Sequence, residues 1–220
     1  MANINSTIEQ TNLRPVLTDQ DIYDLVSAAK EHQFYGICVP SFWVKKASRE
    51  LSGTGIKIIT VAGFPLGYNM TETKLEEIKL AIRDGAHEID VVMNISAFKA
   101  NMPWVKIEIA KCASLVHASS CILKVIIETA YLSKKEIEKA CKLCADAGAD
   151  FVKTSTGFAS EGATVENIQL MRSVLPASVG IKASGGIKTY LQAKSLIEAG
   201  ADRIGTSSGV SIVQEASIDN

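Results

Sequence analysis

The chain has 220 residues, of which 47% are hydrophobic and only 6% aromatic, so we expect a large core built from aliphatic side chains. Its 23 Lys and Arg residues against 24 Asp and Glu give a net charge of −1, which disfavours nucleic-acid binding and a polybasic membrane patch. No segment has the length and apolarity of a membrane span, and residues 1–15 lack the pattern of a secretory signal. We therefore expect a cytoplasmic protein that partners neither nucleic acid nor membrane.

Short apolar runs of strand length recur along the chain, and most are bounded by Gly, Pro, Ser or Asp. Such runs are typical of strands that are buried on both faces of a parallel sheet. A weaker first candidate is followed by seven clear ones: residues 7–13, 35–39, 56–64, 88–93, 121–128, 149–155, 179–184 and 202–207.

Helical patterns lie between these runs, at residues 18–32, 71–85, 105–119, 133–148, 164–176 and 188–200. Thr18 and Ser133 are candidate N-caps, and Glu136 stands at capping-box spacing from Ser133. A unit of helix end, Gly-Ala and strand start recurs at unequal spacing, at residues 84–89, 147–152 and 199–204. This recurrence indicates one βα unit used repeatedly in a single sheet rather than a solenoid.

Eight βα units in a chain of this length predict a single-domain (β/α)8 barrel that spans residues 1–220. The competing architecture is an open doubly wound sheet, which normally carries a Gly-rich turn after its first strand. Residues 9–15 contain no glycine, so we favour the barrel. In that fold the functional groups lie at the C-terminal ends of the strands.

The cysteines and histidines do not form a pattern typical of a metal or redox site. Five cysteines are an odd number, which favours a reducing compartment. Cys141 and Cys144 form a CxxC, but they fall on the apolar face of a helix without a second ligand pair, so we expect buried structural cysteines. His32, His87 and His117 lie far apart in the sequence, and two of them stand near helix ends.

Asp90, Lys153 and Lys182 each interrupt an apolar strand. Burial lowers the pKa of a lysine, and a second ammonium nearby lowers it further, which favours the free amine that a Schiff-base nucleophile requires. The two lysines lie on consecutive strands, and Asp90 could face them and hold or shuttle a proton, which predicts a metal-free iminium site. The alternative is a buried ion pair of purely structural value. Lys124 is expected to lie deeper and to pair structurally.

The loops after the seventh and eighth strands, residues 182–187 and 205–209, are rich in glycine and hydroxyl side chains. Backbone amides at such loops and at helix N-termini bind anions, and barrels of this type commonly hold phosphate there. Residues 155–157 could extend the cradle. The loops therefore favour a phosphorylated substrate over plain turns.

Several segments resemble the motifs of the deoxyribose-phosphate aldolases, namely residues 61–67, 88–94, 123–129, 150–158, 180–187 and 203–209. The resemblance covers essentially the whole chain. It implies a class I aldolase of carbohydrate and deoxyribonucleotide catabolism that reversibly cleaves 2-deoxy-D-ribose 5-phosphate to acetaldehyde and D-glyceraldehyde 3-phosphate. No metal or organic cofactor is expected, the partners are the phosphorylated sugar and aldehydes, and a homodimer is one option for assembly.

The same resemblance implies roles for individual residues. Lys153 is the Schiff-base lysine, Lys182 the second lysine that tunes it, and Asp90 the proton donor and acceptor. Cys38 lies near the substrate without a catalytic role. The implied phosphate contacts are Gly157, Gly185, Gly186, Gly205, Ser207 and Ser208.

The chain also departs from the family pattern. Residues 9–11 read Glu-Gln-Thr where members often read Asp-His-Thr, residues 38–44 lack an Asn-Pro after the cysteine, and residues 217–220 do not end in tyrosine. We expect these differences to leave the lysine–aspartate group untouched. Two other functions stay open: a different phosphate-sugar barrel enzyme, such as an isomerase or a transaldolase-like enzyme, and a non-catalytic sugar-phosphate-binding barrel.

Overall fold

A computed structural model describes residues 4–218, so part of the stretch interpreted above as lacking a signal, and the last two residues of the chain, lie outside it. Eight parallel strands close into a barrel in which each strand pairs with the next and the last pairs with the first. The strands are β1 (Ile8–Thr11), β2 (Gly36–Val39), β3 (Lys57–Ala62), β4 (Glu88–Val92), β5 (Ile122–Ile126), β6 (Phe151–Lys153), β7 (Gly180–Ser184) and β8 (Arg203–Thr206). The predicted (β/α)8 barrel is confirmed, and the weak first candidate is β1.

The helices of the described residues surround this barrel. They are α1 (Asp19–His32), α2 (Val44–Glu50), α3 (Thr71–Arg83), α4 (Ile95–Lys99), α5 (Trp104–His117), α6 (Lys134–Asp146), α7 (Val165–Val174), α8 (Tyr190–Glu198) and α9 (Gly209–Ile218). Six of these lie in the predicted ranges to within one residue at the start, whereas α2, α4 and α9 lie outside them. The helices α2 and α4 are too short to show a helical period, and α9 is apolar on most of its surface, which gives no clear amphipathic stripe.

The helix starts follow the local chemistry of the sequence. The Thr18 side chain accepts a hydrogen bond from the backbone N–H of Asp21, and the Asp21 carboxylate accepts one from the Thr18 N–H. Ser133 and Glu136 form the same reciprocal pair at the start of α6. Both predicted caps are confirmed, and each satisfies backbone donors that the first helical turn leaves unpaired.

The hydrophobic core lies between the strands and the helix layer. Cys141 and Cys144 are fully buried on the inner face of α6, as predicted for structural cysteines. Within residues 4–218 no group of three or more His, Cys, Asp and Glu side chains is arranged to hold a metal ion. A helix long and apolar enough to cross a membrane is not found among the described residues either.

Candidate active site

Six charged side chains meet inside the barrel, and each is at most 2% exposed. They are Glu9 on β1, Glu88 and Asp90 on β4, Lys124 on β5, Lys153 on β6 and Lys182 on β7. Glu88 and Asp90 are two residues apart on one strand and therefore face the same side. The strand register sets Asp90 beside Lys124 and Lys153 beside Lys182, so the parallel pairing itself brings these charges together.

Asp90 is the centre of the group. Its Oδ2 accepts hydrogen bonds from the Nζ atoms of Lys153, at 2.8 Å, and Lys182, at 2.7 Å. Its Oδ1 accepts one from Lys124 Nζ at 3.1 Å. The structure thus brings together the three residues that the sequence singled out, and it adds Lys124 as a third donor to the same carboxylate.

The charges of this group hold one another in place. Burial raises the pKa of Asp90, but the three neighbouring ammonium groups outweigh that effect and hold the pKa well below its usual range. Burial lowers the pKa of Lys182, but the carboxylates of Asp90 and Glu9 outweigh it and raise the pKa well above its usual range. The expectation that burial and a second ammonium lower the lysine pKa is therefore wrong for Lys182, which stays a cation.

Lys124 lies deeper than the other two lysines, nearer the N-terminal end of the barrel. Its ammonium contacts the Glu88 carboxylate and lies 3.6 Å from Glu9 Oε1. Burial lowers its pKa, but the carboxylates of Asp90 and Glu9 outweigh that effect and raise the pKa above its usual value, so Lys124 too stays charged. The predicted structural pairing is present, yet its hydrogen bond to Asp90 makes Lys124 part of the same group.

Glu9 is the residue that the sequence analysis misjudged. Its carboxylate is fully buried and contacts the Lys182 ammonium, so the departure at residues 9–11 does reach the lysine–aspartate group. The available signal was an acidic residue in the interior of the first predicted strand, residues 7–13, which carries no other charge. The next residue, Gln10, joins β1 to the loop after β8, because its side chain donates to Ser207 O at 3.1 Å and accepts from Gly209 N at 2.9 Å.

A cavity of about 590 Å³ opens at the C-terminal mouth of the barrel. Of the three lysines in the group around Asp90, Lys153 alone lines it. Most of the predicted phosphate contacts line it as well: Gly157, Gly185, Gly186, Gly205 and Ser207. Ser208 does not line it, and its backbone N–H donates to Thr206 Oγ1 at 2.9 Å.

The cavity is also lined by basic side chains that the sequence did not indicate. Arg14 and Lys188 line it; the Arg14 guanidinium is paired with Asp21 at 2.6 Å, so Lys188 supplies the positive charge beside the glycine loops. Gly185 and Gly186 have φ angles of 87° and 75°, a region that favours glycine, and the backbone of Gly162 packs directly on Gly185. The loop after β8 leads directly into α9, whereas Lys188 and Thr189 separate the loop after β7 from α8. This mouth therefore has the backbone and charge that an anion requires.

The loop after Lys153 is held by a buried carboxylate. Glu128, at the end of β5, accepts hydrogen bonds from the Thr156 backbone N–H at 3.2 and 3.3 Å and from the Thr156 hydroxyl. Beyond it, Phe158 packs edge-to-face on Phe64, with ring centroids 5.3 Å apart, and separates the main cavity from an apolar one of about 420 Å³. These contacts fix the wall of the cavity next to Lys153.

Cys38 lies at the end of β2, below the cavity, and is fully buried. Burial raises the pKa of its thiol to about 11, so the thiol stays protonated at neutral pH. This agrees with a position near the site without a nucleophilic role.

Comparison with known proteins gives consistent matches. The family model for "DeoC/LacD family aldolase" matches residues 4–215. A deoxyribose-phosphate aldolase of Thermococcus kodakarensis is 51% identical over 212 residues, covering 95% of each chain, and one of Brevibacillus brevis is 48% identical over 215 residues, covering 97% of this chain and 96% of the relative.

Solved structures agree with the sequence matches. The structure "QR15, an Aldolase" has a TM-score of 0.94 and 43% identity, covering 99% of this chain and 97% of that one. The tetrameric deoxyribose phosphate aldolase of Aeropyrum pernix has a TM-score of 0.91 and 33% identity, covering 97% of this chain and 91% of that one.

Proposed function

The chain belongs to the DeoC/LacD aldolase family, and from this premise we propose that it is a deoxyribose-phosphate aldolase that works through a Schiff base on Lys153. It cleaves 2-deoxy-D-ribose 5-phosphate reversibly to acetaldehyde and D-glyceraldehyde 3-phosphate. The observation that carries the mechanism is the placement of Lys153. Lys153 lines the substrate cavity, and its Nζ lies 2.8 Å from the buried carboxylate of Asp90. Lys182 binds the same carboxylate.

The reaction begins when the neutral amine of Lys153 attacks the aldehyde carbon of the open-chain sugar and water is lost, which gives an iminium ion. A base removes the proton of the carbon-3 hydroxyl, the bond between carbons 2 and 3 breaks, and its electron pair moves into the iminium to give an enamine. Glyceraldehyde 3-phosphate leaves. The enamine is protonated at carbon 2, and hydrolysis releases acetaldehyde and restores the amine.

Asp90 is the base and proton shuttle of this scheme, acting through a water. Asp90 is ionised when the cycle begins, and the neutral amine of Lys153 removes one of the three ammonium groups that lower its pKa, which makes the carboxylate a better proton acceptor. Its negative charge also lies where the iminium cation forms, and it stabilises that cation because both side chains are buried. Lys182 stays charged and donates to the same oxygen of Asp90, Oδ2, as Lys153 does.

The phosphate of the substrate binds at the glycine loops after β7 and β8. Backbone amides there, together with Lys188, supply the positive potential. Binding energy from this remote group positions the aldehyde carbon against Lys153. The two lysines on one carboxylate favour the aldolase over an isomerase, which has no need of both.

The setting of the protein is a further part of the proposal: a cytoplasmic homodimer that degrades deoxyribonucleotide sugars. All five cysteines are free, which agrees with a reducing compartment. The relative from Aeropyrum pernix is described as a tetramer, so light scattering on the purified chain decides the assembly. A monomer or tetramer in that measurement contradicts the homodimer.

The direct test of the reaction is acetaldehyde release from 2-deoxy-D-ribose 5-phosphate with and without EDTA, measured by chromatography of the acetaldehyde hydrazone after the reaction is stopped. We expect equal rates in both samples, and none from Lys153→Leu. Binding of the sugar without acetaldehyde identifies a non-catalytic barrel, and a rearranged sugar phosphate identifies an isomerase. Loss of activity in EDTA contradicts the Schiff-base route.

A further inference from the structure

We propose that Tyr35, at the mouth of the barrel opposite the substrate cavity, is a positioning residue that sets the placement of the Asp90 carboxylate through Glu88 and Lys124. The inference rests on the proposed function, because it assigns Asp90 to the reaction. Tyr35 itself touches neither the cavity nor the three residues that the sequence placed in the site.

Tyr35 stands just before β2, and Glu88 is the first residue of β4, so both lie at the N-terminal mouth. The Tyr35 hydroxyl donates a hydrogen bond to Glu88 Oε1. The guanidinium of Arg203, the first residue of β8, stacks on the Tyr35 ring at 3.7 Å from its centroid and lies 5.6 Å from the Phe151 ring. The tyrosine ring is therefore clamped, and its hydroxyl has a fixed direction.

The Tyr35 hydroxyl keeps its proton at neutral pH and is therefore able to donate a hydrogen bond. Burial raises the pKa of Tyr35 and the bond to Glu88 raises it further, which together outweigh the lowering by Arg203, so the phenol stays protonated. A protonated phenol has one donor, and here that donor is committed to one carboxylate oxygen. The other oxygen of Glu88 contacts the Lys124 ammonium.

Lys124 is shared between two carboxylates. It contacts Glu88 on one side and donates to Asp90 Oδ1 at 3.1 Å on the other. The donor that Tyr35 gives to Glu88 satisfies part of that carboxylate's charge. The remaining attraction leaves the ammonium of Lys124 within reach of Asp90.

Removal of the hydroxyl changes this balance. Glu88 then has one donor fewer and draws Lys124 toward itself, away from Asp90 Oδ1. Asp90 then loses the hydrogen bond from Lys124 to Oδ1, which fixes the rotation of its carboxylate. Its Oδ2 keeps the hydrogen bonds from Lys153 and Lys182. The chemical step slows, and the binding of the sugar phosphate at the far mouth does not change.

The other charged groups near this chain of contacts are accounted for. Glu9 approaches Lys124 from β1, at 3.6 Å, and contacts Lys182. Lys57 and His87 line the small cavity at the N-terminal mouth with Tyr35. Within residues 4–218 none of these groups donates a side-chain hydrogen bond to the Glu88 carboxylate, so the Tyr35 hydroxyl is the donor that a substitution removes.

The test is Tyr35→Phe, which removes the hydroxyl and keeps the ring under Arg203, measured on 2-deoxy-D-ribose 5-phosphate beside the wild type. Tyr23→Phe, on the exposed surface of α1, is the matched control. We expect kcat to fall about three- to tenfold while KM stays within about twofold. Tyr23→Phe leaves both parameters unchanged.

A double-mutant cycle separates positioning from a merely structural role. Glu88→Gln removes the charge through which Tyr35 acts, so adding Tyr35→Phe to it should cost no further kcat. Equal losses of kcat in both backgrounds, or a lower melting temperature with unchanged kcat, overturn the inference. If the wild type is active and Tyr35→Phe has the same kcat, the inference is overturned and the proposed function stands. If the wild type is inactive, the proposed function is overturned and the inference with it.

Discussion

The ammonium of Lys182 contacts the carboxylate of Glu9, although 173 residues separate them in the sequence. The contact spans the closing strand β8, which lies between β7 and β1. Gly205 on β8 leaves the room for it, because a Cβ there would lie 2.9 Å from Lys182 Cε. Closure of the barrel thus gives the second lysine a further carboxylate besides Asp90.

Lys182→Met is expected to destabilise the protein in a pH-dependent way. The folded pKa of Lys182 lies above its unfolded value of about 10.4, so its stabilising contribution is complete below that pH and is lost as pH rises through the folded pKa. Urea unfolding should show a deficit of about 3 kcal/mol at pH 7 that narrows above about pH 10.4. The exposed Lys79→Met is the control, with a change of at most about 0.5 kcal/mol. A deficit that is the same at pH 7 and pH 11 contradicts this account of Lys182.

Asp90→Asn is expected to lower kcat by about 10² to 10⁴, because the amide can neither accept the substrate proton nor balance the iminium charge. The three ammonium groups around it also lose their shared counter-charge, so the free energy of unfolding should fall. Steady-state kinetics and urea unfolding measure the two effects. Asp146→Asn, an exposed residue of α6, is the control. Near-normal kcat in Asp90→Asn would remove Asp90 from the mechanism.

Gly185→Ala tests the phosphate loop. Its methyl group would meet Gly162 Cα at 2.9 Å, and the φ of 87° disfavours any L side chain. Gly53→Ala has a similar φ of 77° with open space around it, so it carries the same backbone cost away from the cavity. We expect KM for deoxyribose 5-phosphate to rise about tenfold in Gly185→Ala alone, with little change on unphosphorylated deoxyribose. Equal rises on both sugars would place the phosphate elsewhere.

Thiol labelling checks the burial of the cysteines. Four of the five are fully buried, and burial raises the pKa of Cys38 to about 11 and of Cys141 to about 12. Only Cys121 is partly exposed. Reaction with a disulfide reagent at pH 8 should therefore modify at most Cys121 in the native protein and all five thiols in denaturant. Rapid native labelling that persists in Cys121→Ser would contradict the structure around the site.

Much of the fold follows from the sequence, because the alternation of buried strands and capped helices is a local pattern. The strands β2 to β8 all lie within predicted runs, and the caps at Thr18 and Ser133 form as their residue types indicate. The helices α2 and α4 were missed since seven and five residues are too few to show a period of 3.6.

The site follows from the sequence only in part. An ionisable residue in an apolar strand stands out in the sequence because burial of an unpaired charge is costly. Asp90, Lys153 and Lys182 are identified in this way. The sign of the Lys182 pKa shift depends instead on how many carboxylates reach it, and Glu9 reaches it only once β1 joins β8. Contacts of this kind form only when the barrel closes, so they cannot be predicted from the sequence of each strand taken separately.

Borohydride trapping tests the central claim, the identity of the nucleophile. Reduction of the protein with acetaldehyde present, followed by peptide mass spectrometry, should place one reduced two-carbon adduct on Lys153, and Lys153→Leu should carry none. An adduct on Lys182 or Lys124 instead, or no adduct in a protein that releases acetaldehyde, would contradict the account.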